Sequence, residues 1–496
     1  MAKTKAAYKV PILTGEIKIP KVVSGISAYE KMYQGEKDDM VALGFPASLE
    51  EGWEIKAVGI FKQLLSHNKA LRDYMDICVR CGACTDKCQF FLGTGDSNNM
   101  PVGRAELMRK VYRYYFTPAG SLFKGLADAE PFSEEMLKKW FTYYYQCSEC
   151  RRCSYYCPYG IDTAVITMAA REIMDGIGLG QKYSTVIIHK VFNTGNNIGI
   201  PQAALRNTLD DLEEEINEET GKDVKIPMDV EGAEVLLVPP SADFFAMPHM
   251  ESLKGYAKVF YKAGVSWTVS SYASEAANFG MFIGSYRNTK ELNKRIWDEA
   301  RRLKVKRVVV GECGHAWRAM YNYSNTMNGP FDFLDNKYRQ PTHICDFTLG
   351  LIKDGVIKVD PSANDDKIIT YHDSCNIARG SRIGEIPGGQ FTIPRELIKA
   401  CANNFYELRN GTNKAETYCC GAGGGILTDE VMNVRIAGSM AKMQTIKEVM
   451  DNKGVNFLAL ICAICKTQFA KMYQLYGFDA EMVGGIHQLV SSAIIL

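Results

Sequence analysis

Eight of the sixteen cysteines fall in two short runs, Cys78-Val-Arg-Cys81-Gly-Ala-Cys84-Thr-Asp-Lys-Cys88 and Cys147-Ser-Glu-Cys150-Arg-Arg-Cys153-Ser-Tyr-Tyr-Cys157-Pro158. Both have the spacing C-x2-C-x2-C-x3-C. Three thiolates two residues apart let a short loop wrap three irons of a cubane cluster, whereas the fourth cysteine, on the next turn, ligates the other cube. Cluster one is therefore expected on Cys78, Cys81, Cys84 and Cys157, and cluster two on Cys147, Cys150, Cys153 and Cys88. Zinc is the competing reading, but zinc sites pair two CxxC knuckles across a longer gap. Two cubanes this close form a one-electron relay. Arg80, Arg151 and Arg152 beside the runs either offset cluster charge or are solvated surface residues. Gln89 stands where the second run has Pro158.

The other eight cysteines lie between Cys313 and Cys465. Three strand ends, Tyr371-His372-Asp373-Ser374-Cys375, Cys419-Cys420-Gly421-Ala422-Gly423-Gly424-Gly425 and Cys462-Ala463-Ile464-Cys465, supply five of them. Adjacent cysteines diverge in direction, which suits neighbouring irons of an irregular cluster better than one tetrahedral ion. Gly421, Gly423 and Gly424 allow close backbone approach, and their N–H groups can bond sulfur. Blander readings compete. A dinucleotide loop is opposed by Ile426 in place of its third glycine. Cys462 and Cys465 also fit a thioredoxin-like dithiol, and buried core cysteines are common.

The elements that position these residues change character along the chain. The first fifty residues, with Pro11, Pro20 and Pro46, read as an extended arm over a partner or the body, or as disorder. Helical spacing follows over Trp53–Met75, Arg104–Tyr115 and Asp162–Met174. The acidic stretch from Asp210 to Asp223 reads as a solvated helix or linker, and a domain boundary is placed near residue 228. Beyond it, Val235–Val238, Trp267–Val269, Arg307–Val310, Lys367–Tyr371 and Asn456–Ile461 read as buried strands. Each half then closes on a histidine before a helix, at His343 and His487, as an internal duplication would. Length 496 admits about three domains. Lysine plus arginine (58) against aspartate plus glutamate (57) gives net charge +1, which argues against nucleic-acid binding. The N-terminus is too short in apolar residues for a signal peptide, and no window of 18 apolar residues suggests a membrane span. Sixteen cysteines in so long a chain point to a reducing compartment.

At these motifs the chain resembles the cysteine-rich CCG family, the catalytic subunits of heterodisulfide reductases and the iron-sulfur subunits of glycolate oxidase-type enzymes. The resemblance covers about residue 55 to the end and implies an α+β multidomain fold. An arm (1–52) precedes an α-helical two-cluster ferredoxin-type domain (53–227). A duplicated α/β CCG domain with parallel sheets follows, as a degenerate repeat (228–360) and a complete one (361–496). It further implies a noncubane 4Fe-4S cluster on Cys375, Cys419, Cys420, Cys462 and Cys465, where a substrate disulfide is reduced. The family's strand end is His-Asp-Pro-Cys-His-x-x-Arg; here Ser374 and Asn376 replace the proline and second histidine. In the degenerate repeat Ser241 lies near the expected first cysteine and Glu275–Gly280 stands in place of CCG. Of its CxxC only Cys313 remains, followed by His315. His372 and His315 are candidate proton donors; as single histidines, both also suit purely structural roles. The pattern is most like that of catalytic subunits in Dsr-type membrane complexes of sulfur metabolism. That likeness implies a DsrM-like quinol-oxidising membrane subunit and a small DsrC-like sulfur carrier as substrate. It also implies a cytoplasmic chain, peripheral on the inner face of the cell membrane. The other members imply a CoB-CoM-type heterodisulfide reductase subunit, or a non-catalytic electron-transfer subunit.

Overall fold

The computed structural model describes residues 8–21 and 37–496. The first helix, α1 (Lys37–Ala42), lies within the stretch expected to be an extended arm. After it Leu43 and Phe45 are buried, Phe45 edge-on to Phe141 with centroids 5.3 Å apart. Residues 8–21 carry no helix or strand and rest on the body, Ile17 packing against Leu92, Tyr418 and Ala441. The rest of the expected arm, 1–7 and 22–36, lies outside the described residues. The helical pattern from Trp53 becomes two helices, α2 (Trp53–His67) and α3 (Lys69–Ile77). Asn68 between them accepts the Leu71 N–H at 3.0 Å and so caps the second.

The chain divides into two compact units. The first joins Met1–Thr185 to Met281–Ser285 and Tyr418–Gln444. It is helical, adding α4 (Gln89–Thr94), α5 (Pro101–Phe116), α6 (Glu134–Tyr145) and α7 (Thr163–Gly176). Pro101 opens α5 where its missing N–H costs nothing, and Asp162 caps α7 through the Ala164 N–H at 3.0 Å. Their apolar faces meet around Phe61, Met108, Trp140, Tyr144 and Ile173.

The second unit takes Val186–Gly280, Tyr286–Thr417 and Thr445–Leu496. It begins some forty residues before the expected boundary and includes α8 (Gln202–Thr220), which carries the acidic stretch. That helix is not solvated all round: Leu205, Leu209, Leu212 and Ile216 are buried on one stripe, leaving the acids on the other. Strand β1 (Val235–Val238) leads to α9 (His249–Ala263) and β2 (Trp267–Thr268), then α10 (Tyr286–Arg302) to β3 (Arg307–Val310). Next come α11 (Gly314–Asn328), β4 (Thr342–His343) and α12 (Ile344–Lys353). The four strands form a parallel sheet in the order β2-β1-β3-β4.

The pattern then repeats. Strand β5 (Ile369–His372) is followed by α13 (Gly389–Cys401), α14 (Met432–Lys453), β6 (Phe457–Leu460), α15 (Ala463–Leu475), β7 (Val483–Gly485) and α16 (Ile486–Ala493). The second sheet is parallel in the order β5-β6-β7. A parallel bridge from Ile369 to Phe405 occupies the place that β2 holds in the first. Helical unit and parallel sheets together make the chain α+β, and no described helix is long and apolar enough to cross a membrane.

The two sheet modules meet where α9 crosses α16. A Cβ on Gly255 would stand 2.1 Å from the His487 carbonyl oxygen. Gly255→Ala should therefore destabilise the protein by about 1–3 kcal/mol, read from the denaturant midpoint. Gly350→Ala, in α12 with nothing within 4 Å of its Cβ position, should leave stability unchanged or raise it by up to about 1 kcal/mol.

Candidate functional site

In the first unit the two cysteine runs fold alike. The second and fourth residues after the leading cysteine are left-handed in both: Arg80 (φ 56°) and Gly82 (φ 77°) in one, Glu149 (φ 53°) and Arg151 (φ 60°) in the other. Non-glycine residues rarely adopt such angles, and here they turn three successive thiols inward. Cys78, Cys81, Cys84 and Cys157 line one cavity. Burial pushes the Cys84 thiol up to about 11, and the thiols of Cys157 and Cys78 beside it add to the shift. Cys88, at the start of α4, is likewise pushed up by burial, with Cys150 and Cys147 adding. Cys153 is raised by burial and by Cys150, Cys88 and Cys147. Each run thus sends its fourth cysteine to the other run's three thiols. Four sulfurs converging from two loops are a donor set that fits a cubane cluster.

Arg80, Arg151 and Arg152 have local partners. Arg80 pairs with Glu106 (2.7 Å) and Asp128 (3.0 Å), and Arg151 with Asp162 (2.6 Å). Arg152 donates to the Lys87 carbonyl at 2.9 Å and lies 3.8 Å from the Tyr418 ring centroid. The arginine among the thiols is instead Arg104 of α5. It is fully buried, donates to Tyr143 O (2.9 Å) and Asn99 Oδ1 (2.9 Å), and sits within electrostatic reach of Cys147, Cys88 and Cys153. Nothing in its sequence neighbourhood marks it. Gln89, buried, places its amide 3.3 Å from Ser148 Oγ and 3.7 Å from the Cys150 sulfur.

The segment with the paired cysteines belongs to this same unit. Cys419 and Cys420 are buried, and the Gly421 N–H points at the Cys419 sulfur at 3.4 Å. Gly424 is left-handed (φ +63°), and a Cβ there would come within 2.8 Å of Cys147 O and 3.0 Å of Ser148; only glycine lets the loop lie against the second run. Gly423 accepts the Ile426 N–H at 3.3 Å. Arg171 of α7, fully buried, clamps the contact: it donates to Gly424 O (2.8 Å), Cys147 O (2.7 Å), Tyr144 O (2.7 Å) and Glu149 Oε1 (3.0 Å).

In the second unit Cys375 begins a short helix directly after β5, and Asn376 donates to its sulfur at 3.6 Å. Asp373 takes a bidentate pair from Arg395 (2.7 and 2.8 Å) and the Lys414 N–H (2.8 Å), while Arg379 donates to Ala415 O and Thr417 O. These two motif residues thus hold the backbone leading to the paired cysteines. Cys462 immediately precedes α15 and Cys465 lies in its first turn. Burial would raise the Cys462 thiol, but hydrogen bonds from Cys313, Cys465 and His315 hold it well below its ordinary range. His315 Nδ1 is 3.6 Å from the Cys462 sulfur. His372 is buried and stands edge-on to Phe469. In the first module Ser241 occupies the place of Cys375, three residues past its strand. It meets Ser274 Oγ at 2.5 Å and donates its N–H to Glu275 at 2.8 Å; burial pushes the Glu275 carboxyl up to about 7.

The family described as a 4Fe-4S dicluster domain matches residues 74–161, and the cysteine-rich domain family matches 369–470. An Hdr-like menaquinol oxidoreductase iron-sulfur subunit of Archaeoglobus profundus is 39% identical over 97% of this chain and 89% of its own. The chain belongs to the family of Hdr-like menaquinol oxidoreductase iron-sulfur subunits. Iron-sulfur subunit 2 of this family in Archaeoglobus fulgidus is 41% identical over 90% of this chain and 84% of its own. One subunit of the dihydromethanophenazine:CoB–CoM heterodisulfide reductase of Methanosarcina barkeri is 22% identical over 85% of this chain and 94% of its own. No solved structure matches. Like the relatives in this family, the chain is an iron-sulfur oxidoreductase subunit.

Arg171 ties the paired-cysteine loop to the second run. Arg171→Met should destabilise the protein by about 3–5 kcal/mol, because Glu149 would stay buried without its partner. Arg171→Met with Glu149→Gln should recover part of that loss in the same denaturation measurement.

Proposed function

We propose that this chain is the catalytic subunit of a membrane-associated complex that passes electrons from a menaquinol-type quinol to a sulfur–sulfur bond. In this reading Cys78, Cys81, Cys84 and Cys157 hold one cubane, and Cys147, Cys150, Cys153 and Cys88 the other. Cys375, Cys419, Cys420, Cys462 and Cys465 hold a noncubane 4Fe-4S cluster, with the backbone of Gly421, Gly423 and Gly424 beside it. When bound, these clusters supply one-electron transfer and an iron site at which a substrate sulfur is held while two electrons arrive. The overall step balances as R–S–S–R′ plus quinol giving R–SH, R′–SH and quinone, two electrons and two protons leaving the quinol.

The residues divide the work. The single observation that supports the reading is the Arg171 clamp, which fixes the Gly424 loop against the Cys147 run; a cubane held by that run would then neighbour the paired cysteines. Arg104 supplies positive charge among that cubane's thiolates, favouring its reduced state. His315, beside Cys462, is the residue proposed to hold the proton that the leaving thiolate takes, with His372 as the second candidate. The relatives' menaquinol oxidoreductase name supports the quinol donor, delivered by a DsrM-like membrane partner. In this reading the membrane partner holds the chain peripherally on the cytoplasmic face. A small sulfur carrier with C-terminal cysteines, DsrC-like, is the proposed substrate.

Cys420→Ala should abolish quinol-dependent disulfide or trisulfide cleavage by the reconstituted complex while the cubane signals persist. Cleavage at the wild-type rate would make the chain an electron conduit with its chemistry elsewhere.

A further inference from the structure

The second unit buries charges where its two modules join. Lys466, the residue after Cys465, is wholly buried. Its ammonium donates to Ser252 Oγ (2.9 Å) and Glu312 Oε2 (3.2 Å) and lies 3.6 Å from Asp243 Oδ1. Both acids come from the module that lacks the cysteine pattern: Asp243 follows β1 and Glu312 follows β3. The other Glu312 oxygen accepts the His487 N–H and faces His487 Nδ1, each at 2.8 Å. Asp243 Oδ1 is 3.6 Å from His249 Nδ1, and His249 Nε2 meets Thr467 Oγ1 at 3.1 Å.

Such burial is costly, since a buried ion pair is often less stabilising than apolar residues of the same volume. A metal ion is the alternative use, because Glu312, Cys345 and His487 offer ligand atoms within 4.8 Å of one another. The Lys466 ammonium on Glu312 already supplies the positive charge there. Lys466 also donates its backbone N–H to the Cys462 carbonyl at 2.9 Å and lies within electrostatic reach of that cysteine, so its charge acts on the sulfur end of the second module.

We propose that Lys466 is a positioning residue whose fixed ammonium, held by Glu312 and Asp243 of the cluster-less module, favours the electron-rich state at Cys462 and Cys465. This rests on the reading that these cysteines hold the noncubane cluster. A positive charge in a low-dielectric interior stabilises added negative charge strongly, and net charge is a lever on cluster potential. The module without ligands is then retained because it holds the lysine in place.

The test measures iron content and the midpoint potential of each cluster in the full-length protein, with Lys466→Met, Lys466→Arg, Glu312→Gln and the Lys466→Met/Glu312→Gln double variant. With about twelve irons retained, Lys466→Met should lower the potential of the third cluster only, and Glu312→Gln should raise it. Lys466→Arg and the double variant should stay near wild type. An unmoved third potential in Lys466→Met, or equal shifts at all three clusters, overturns the proposal. If Lys466→Met loses iron, Glu312→Gln decides, and a potential that fails to rise overturns it. About eight irons in the wild type removes the noncubane reading itself, and this role with it; about twelve with unmoved potentials removes only the role of Lys466.

Discussion

One buried guanidinium holds the first unit in its working form. Arg171 spends its donors on the carbonyls of Tyr144, Cys147, Phe282 and Gly424 and on the Glu149 carboxylate. These groups come from three separate stretches of chain. A buried carbonyl left without its donor costs about 1–3 kcal/mol, and Arg171 supplies a side-chain donor to each of these. The planar fork of arginine meets several acceptors at once, as lysine cannot. A cysteine run and a glycine loop more than 250 residues apart thereby become one wall.

The cysteine runs are legible in the sequence because their information is local. The spacing dictates the loop, and the crossing of Cys88 and Cys157 follows from the reach of four thiols. The strands are legible for the same reason, as short apolar runs such as Val235–Val238 and Phe457–Leu460. Long-range facts are not. The break at Asn68 depends on a cap inside a continuous apolar pattern. Arg104 and Lys466 look like ordinary surface charges until the fold buries them. The segment Tyr418–Gln444 sits in sequence inside the second module yet belongs to the first unit, which no periodicity could reveal. In helix α8 the run of acids dominates the sequence and hides the stripe of Leu205, Leu209, Leu212 and Ile216 that anchors it.

The two sheet modules can be compared position by position. Sheet order is preserved, and Cys313 stands at the N-terminal boundary of its helix as Cys462 does at that of the matching one. Where the second module has Cys375, the first has Ser241 in a hydrogen-bonded set with Ser274 and Glu275. Polar groups that satisfy one another can replace a metal-binding pocket without opening a cavity. What remains reaches across to the intact module, through His315 at Cys462 and Glu312 at Lys466.

The central claim is that the paired-cysteine module binds and reduces sulfur. Paramagnetic resonance of the oxidised protein titrated with a monothiol tests it most directly. The account predicts a new signal of about one spin per chain, distinct from both cubanes and absent from Cys420→Ala. A titration that yields cubane signals alone, at every thiol concentration, contradicts it.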